Sequence, residues 1–95
     1  MNPDDMPDIG TILLFVPGRD DRCDGHGLLP AIVQRQEATG GDATLCLTVF
    51  RNDGAVRIRS GVLHHSAWKA RAATDKTWDA DGSGCWAWPS EQASI

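Results

Sequence analysis

The 95-residue sequence lacks any apolar run long enough to cross a membrane. Its longest run, 12–16, has the size of one strand, whereas a membrane helix needs about 20 apolar residues. The first residues are acidic and lack the basic-then-apolar layout of a secretory signal. A chain of this size forms one domain. These absences predict a single-domain cytoplasmic protein without a membrane partner.

Cysteine is scarce. The three cysteines cannot all pair with one another, and without a secretory signal they are predicted to be free thiols in a reducing compartment. Cys46 lies in the middle of an apolar segment and is interpreted as a small core residue.

Closely spaced pairs of metal-ligating residues are also scarce. Cys23 and His26 have C-x₂-H spacing, and His64, His65 and Cys85 are the candidates to complete a tetrahedral zinc site. Knuckle-type sites usually show two close pairs, whereas this chain has one. Adjacent His64 and His65 are expected on opposite sides of a strand, so at most one serves a given site. The sequence therefore predicts no metal and no cofactor, and leaves zinc at Cys23 and His26 as an open alternative.

Groups of residues with the spacing typical of a catalytic site are lacking as well. The sequence has no recognisable nucleophile with its base, no Gly-rich phosphate cradle and no paired acids in a rigid context. Asp79 and Asp81 lie in a polar stretch and are interpreted as turn residues. The prediction is a protein that is not an enzyme.

Short extended segments are abundant. Residues 44–50 are uncharged, and their β-branched, aromatic and other apolar side chains alternate between two faces, which is typical of a strand. Residues 51–54 include Asn, Asp and Gly, which tolerate the backbone of a hairpin connection. The return strand, 56–62, is predicted to have a cationic face with Arg57 and Arg59, and a dry face. The predicted dry face consists of Val56, Ile58 and Val62.

Three further strands are predicted over 9–16, 28–36 and 85–88. Pro30 removes a backbone donor, which places it at a strand start or on an edge. Ser66 is predicted to cap a short helical turn near 66–73, because Ala, Lys and Arg are good helix formers.

Five short strands with Gly- and Pro-containing turns predict an all-β fold. We expect a small five-stranded, SH3-like, partly open barrel, because closure protects strand edges. The barrel domain is predicted over 9–89. Two prolines and three aspartates in 1–8 predict a disordered N-terminal arm, and 90–95 is predicted to be a tail.

Tryptophan and arginine supply the candidate binding residues. Trp86 and Trp88 are two apart, so a strand sends both rings to one face, either to close the barrel or to form an aromatic ridge for a peptide, a base or a second subunit. Guanidinium groups near tryptophan suit phosphates, acidic peptides or nucleotides. The predicted binding residues are Arg57, Arg59, Trp68, Arg71, Trp86 and Trp88.

Charge is segregated along the chain. Residues 1–24 hold six Asp against two Arg, 51–74 hold five Lys or Arg against one Asp, and 75–95 hold four acids against one Lys. Such asymmetry favours a charged partner or head-to-tail self-association. The overall charge of −4 argues against a general nucleic-acid binder.

Four segments follow one another in an order seen elsewhere: Gly and an apolar strand at 10–16, Ala-Ile-Val at 31–33, Leu-Thr-Val-Phe at 47–50 and Gly-Cys-Trp-Ala-Trp-Pro at 84–89. This order resembles that of small uncharacterised proteins of tailed bacteriophages and prophages, which end in Gly-x-Trp-x-Trp-Pro. The resemblance covers roughly 9–90, and its specific part is Trp-x-Trp-Pro. The chain departs from the group at Leu29-Pro30, where a basic stretch is common, and in a longer 64–82 segment.

The resemblance implies a phage or prophage origin rather than a mechanism. Because the chain has a small β scaffold and no recognisable catalytic motif, we expect a non-enzymatic accessory protein that binds a protein. It would inhibit a host defence or metabolic protein, or serve as a minor virion component, with a homo-oligomer as a further option. The alternative is binding of a nucleotide or a single-stranded nucleic acid through the Arg/Trp surface.

Overall fold

The computed structural model describes residues 6–18, 27–39, 42–51, 53–79 and 82–94. Its elements, in chain order, are β1 (Ile12–Val16), β2 (Leu29–Thr39), β3 (Asp42–Phe50), β4 (Val56–His64), α1 (His65–Thr74), β5 (Cys85–Ala87) and a 3₁₀-helix (Pro89–Ser94). Within these residues, neither helix combines the length and apolar character of a membrane span.

The five strands form one closed barrel in the order β1-β2-β3-β4-β5. The first four pair antiparallel with their sequence neighbours. The short β5 closes the barrel by pairing antiparallel with β1 and parallel with β4. The predicted small all-β barrel of five strands is thus confirmed, with hydrogen bonding complete around the sheet rather than partly open. Pro30 is the second residue of β2, in keeping with its predicted place at a strand start.

The helix α1 confirms the predicted helical turn and exceeds it by one residue at each end. The prediction of Ser66 as its cap was wrong. His64 is the N-cap, with an extended backbone, and its Nδ1 accepts the Ser66 N–H at 3.3 Å. The reason is that β4 passes into α1 without a linker, so the last strand residue occupies the capping position.

The interior is filled by alternate side chains of the strands, with Met6 and Trp88 packed against it. The buried cluster consists of Leu13, Phe15, Leu29, Ala31, Val33, Leu45, Leu47, Val49, Val62 and Trp86. Gly84 precedes β5 directly beneath the Phe15 ring, and a Cβ there would collide with that ring. Cys46 is 1% exposed, as its predicted core position requires.

A bulge in β4 reverses the two faces that the sequence predicts for this strand. Between the pairs Leu45–Val62 and Leu47–Arg59 the register shifts by one residue, and Gly61 in the bulge has φ +68°. Arg59 therefore shares a face with buried Leu47, while Ile58 lies opposite Thr48 on the outer face. The predicted dry face was wrong for Val56 and Ile58, which are 57% and 58% exposed, and right for Val62, which is 6% exposed.

Both ends of the described chain pack on the barrel. Pro7, in the segment predicted as an arm, is buried, and its carbonyl accepts a hydrogen bond of 2.9 Å from Gln36 Nε2. Most of the segment predicted as a tail forms the 3₁₀-helix Pro89–Ser94. This helix contacts β1 and carries Glu91 to the end of β4.

Candidate functional site

The outer wall of the barrel carries a set of apolar side chains, here called the outer apolar face. One row crosses four strands through the pairs Ile12–Ile32, Ile32–Thr48 and Thr48–Ile58. A second row includes the pairs Leu14–Pro30 and Phe50–Val56. The face consists of Ile12, Leu14, Pro30, Ile32, Phe50, Val56 and Ile58.

Exposure distinguishes this face from the core. Ile12 is 63% exposed, Ile58 58%, Val56 57% and Phe50 38%. Strand alternation sends the neighbours of these residues in β1, β2 and β3 inward, so these three strands are apolar on both sides here, whereas Ile58 in β4 lies between two arginines. A strand that faces solvent usually alternates apolar and polar residues. The outer apolar face therefore offers a surface suited to covering by another molecule.

A second feature is a cavity of about 200 Å³ between the bulge of β4, α1 and the segment that leads into β5. Arg59, Arg71 and Trp78 line it together with the backbone of 82–84. The Arg71 guanidinium lies 4.5 Å from the centroid of the Trp78 ring, in cation–π geometry. Two cations and an indole at one cavity suit an anionic aromatic ligand.

Trp68 contacts two of the residues that line this cavity, Trp78 and Ser83. Its ring meets the Trp78 ring edge-to-face, with centroids 6.3 Å apart. Its Nε1–H donates to the Ser83 carbonyl at 3.2 Å, which ties α1 to the segment before β5. Trp78 was not among the predicted binding residues. The spacing of Trp68 and Arg71, one helical turn apart, was the available signal that this helix face is functional.

The structure separates the six predicted binding residues. Arg59 and Arg71 meet at the cavity, with Trp68 beside them, whereas exposed Arg57 lies outside its lining. Trp86 is 2% exposed and belongs to the core, so it offers no surface to a ligand. Trp88 is half-buried, and its ring packs edge-to-face on that of Trp86 with centroids 5.6 Å apart.

A third feature is a cluster of His64, His65 and Glu91 at the end of β4. His64 Nε2 lies 2.8 Å from Glu91 Oε1, and His65 Nε2 lies 3.1 Å from Glu91 Oε2. The expectation that adjacent histidines point apart was wrong. It assumed a continuous strand, whereas the chain changes from strand to helix between these two residues.

Two helix caps hold this cluster in place. His64 caps α1 through Nδ1, which leaves Nε2 to face Glu91. Glu91 in turn accepts the Trp88 N–H through Oε1 at 2.9 Å, as the acidic member of a capping box does at a helix start. Pro89 and Glu91, at the first and third helical positions, are the sequence signal that could have revealed this residue.

The electrostatics of the cluster keep Glu91 anionic. Burial raises the pKa of Glu91, but hydrogen bonds from His64, from the Trp88 N–H and from His65, with the charge of His64, lower the pKa to about 2. The His64 ring also meets the Trp86 ring edge-to-face, with centroids 4.6 Å apart. The cluster thus adjoins the core.

The residues proposed for zinc from the sequence fall in different places. Cys23 and His26 lie outside the described residues. Cys85 is a buried free thiol, and burial raises its pKa to about 11 against a smaller effect of Lys69. The described histidines meet Glu91 instead, a residue that sequence analysis assigned to the tail.

Comparisons with protein-family models, curated proteins and solved structures yield no match for this chain.

Proposed function

We propose that this protein is a non-enzymatic accessory protein of a tailed phage or prophage that acts in the bacterial cytoplasm by binding another protein. The bound protein is a host defence or metabolic protein, or a virion subunit. The origin rests on the resemblance of the Trp-x-Trp-Pro ending and the strand order. The mode of action rests on the outer apolar face.

The outer apolar face is the observation that carries the proposal. Contiguous exposed apolar patches of about 300–600 Å² are the largest that monomers usually carry, and they often mark interaction sites. Here the exposed Ile12 and Ile58 belong to a row that runs across four paired strands, and Val56 lies in the neighbouring row. Because strand pairing holds these rows in register, the face needs little reordering on binding.

The expected partner presents an apolar surface of matching size. The seven residues of the face carry no charge, so contact with them is strengthened by apolar and aromatic anchors rather than by ion pairs. The Arg51–Asp53 ion pair, with a nitrogen–oxygen distance of 2.9 Å, lies in the connection between Phe50 and Val56 and is suited to a polar rim.

The test combines immobilised protein with one matched pair of variants. Ile58→Asp places a charge in the outer apolar face, whereas Ala67→Asp places the same charge at an exposed position in the first turn of α1. We expect partners retained from phage-infected cell lysate by the wild type and by Ala67→Asp to be lost with Ile58→Asp. Equal retention by both variants would contradict the role of the face, and a wild-type dimer dissolved by Ile58→Asp would identify the partner as a second copy.

The second candidate function is binding of a nucleotide or a short single strand in the cavity. The observation that favours it is the Arg71 guanidinium over the Trp78 ring, next to Arg59. Stacking of a base on an indole quenches its fluorescence, so nucleotides and oligonucleotides are titrated at low salt. We expect quenching that Arg71→Ala abolishes and that Lys76→Ala, which removes an exposed cation two residues before Trp78, preserves. No quenching at all would remove this candidate.

A further inference from the structure

We propose that His64, His65 and Glu91 form a binding site for a divalent transition-metal ion, with Zn²⁺ as the best match. The site lies where β4, α1 and the 3₁₀-helix meet. It is separate from the outer apolar face and from the cavity, so it does not depend on the proposed function.

The donor set fits this class of ion. Two imidazole nitrogens and one carboxylate oxygen are a ligand set that zinc uses in proteins, with an open position for water or a partner's side chain. One ligand atom from each of the three residues can be chosen so that all lie within 4.8 Å of one another. Tetrahedral zinc with ligands at about 2.0–2.2 Å places its ligand atoms roughly 3.4 Å apart.

The hydrogen bonds of the cluster occupy the place that an ion would take. The two Nε2–carboxylate distances, 2.8 and 3.1 Å, need to open by only a few tenths of an ångström to admit zinc. In the metal-free form, each Nε2 proton satisfies one carboxylate oxygen. On binding, the ion displaces both protons from Nε2. In a neutral ring the proton moves to Nδ1, whereas a doubly protonated ring keeps its Nδ1 proton and releases the Nε2 proton to solvent.

Ser66 supplies the outer-shell contact that a metal-bound histidine needs. Its hydroxyl oxygen lies 2.8 Å from His64 Nδ1. Once Nε2 holds the ion, a protonated Nδ1 can donate to this oxygen, in place of the Ser66 N–H bond that Nδ1 accepts in the metal-free form. The Trp88 N–H bond to Oε1 fixes the Glu91 carboxylate in the same way from the other side. His64 and Glu91 thus each have a supporting contact in the metal-free protein.

Burial of His65 is the second observation that points to a ligand role. His65 is 9% exposed, and its Nδ1 has no hydrogen-bond partner among the described residues. Burial removes this imidazole from water, and a metal bond at Nε2 would offset part of that cost. The side chains of His64 and Glu91 are each 24% exposed, which leaves a route for the ion and its fourth ligand.

The test is titration of the chelator-treated full chain with Zn²⁺ by calorimetry, and with Co²⁺ by its visible absorption. We expect one ion per chain with a dissociation constant of about 1 µM or tighter. Glu91→Gln and His64→Gln should each weaken binding by more than the roughly 10- to 100-fold that loss of an outer-shell partner produces. Gln92→Ala, an exposed neighbour of Glu91, should bind as the wild type does.

Other outcomes overturn the proposal. Binding unchanged in both Glu91→Gln and His64→Gln would exclude these ligands, and so would the absence of saturable binding. Binding lost only in His26→Gln would move the site to Cys23 and His26. Because a ligand variant can lose its fold, circular dichroism is recorded for each. As a second measurement on the wild type, Cu²⁺ should quench the fluorescence of Trp86, whose ring lies 4.6 Å from that of His64.

Discussion

His64 donates through Nε2 to Glu91 Oε1 at 2.8 Å, so that the residue capping the α-helix is tied to the residue capping the 3₁₀-helix. This bond joins two short helices, neither of which is long enough to be stable alone. Each is held instead by the barrel end on which it docks.

The first prediction concerns pH. The hydrogen-bonded Glu91 has a pKa of about 2 instead of the usual 4.5, so its contribution to stability is fully present above pH 4.5 and is lost as the pH falls towards 2. In the metal-free protein, Glu91→Gln should therefore lose less stability than the wild type between pH 5 and about pH 3. Urea denaturation of both proteins at the two pH values measures the difference. Equal losses would show that the carboxylate is not held by these hydrogen bonds.

The second prediction concerns the bulge of β4. Gly61 has φ +68°, and a side chain in that region costs about 1–2 kcal/mol even though a Cβ at this position would meet no other atom within 4 Å. Gly61→Ala should therefore destabilise the protein by about 1 kcal/mol in urea denaturation. Gly27→Ala is the matched control, because that glycine has equally open surroundings and no positive φ. Similar results for the two variants would contradict the strained geometry.

The third prediction tests the reversed faces of β4. Ile58→Thr changes an exposed side chain and should alter the free energy of unfolding by no more than about 0.5 kcal/mol. Val62→Thr places a hydroxyl at a site that is 6% exposed, and should cost about 1–3 kcal/mol. Thermal and urea unfolding of the isolated protein measure both. Similar costs for the two variants would restore the simple alternation that the sequence suggests, because that alternation places both side chains on one buried face.

The fourth prediction separates the two C-terminal tryptophans. Trp86 is 2% exposed inside the barrel, and its truncation to Ala should cost about 3–5 kcal/mol, a large share of the stability of a small domain. Trp88→Ala should cost less, because that ring is only half-buried. Trp86→Phe should be milder than Trp86→Ala, since the buried indole N–H has no partner among the described residues and its removal forfeits no bond. Circular dichroism melts rank the three variants.

Much of the fold was predictable from local pattern. Alternation in β3 placed Leu45, Leu47 and Val49 on one face, and all three are buried, while Ala-rich 66–73 marked the helix. The faces of β4 could not be predicted from the sequence. One extra residue in the bulge at Gly61 reverses them, and glycine has no side chain whose polarity would indicate the bulge.

The candidate sites were less accessible to sequence reasoning. Arg59 and Arg71, two of the predicted binding residues, line the same cavity, but Trp78 joins them only through the path of the chain after α1. His64 and His65 converge because β4 ends at the first and α1 begins at the second, and no local sequence pattern indicated this boundary. Glu91 was marked by a helix start after Pro89, a weak signal at the end of a polar stretch.

The three residues of β5 form both seams of the barrel, since Phe15 pairs with Trp86 and Leu63 pairs with Cys85. During synthesis, the hairpins of β2 to β4 can therefore assemble early, while the cylinder stays open until residue 87 has left the ribosome. Partial chains would display their apolar lining to chaperones and proteases until that moment.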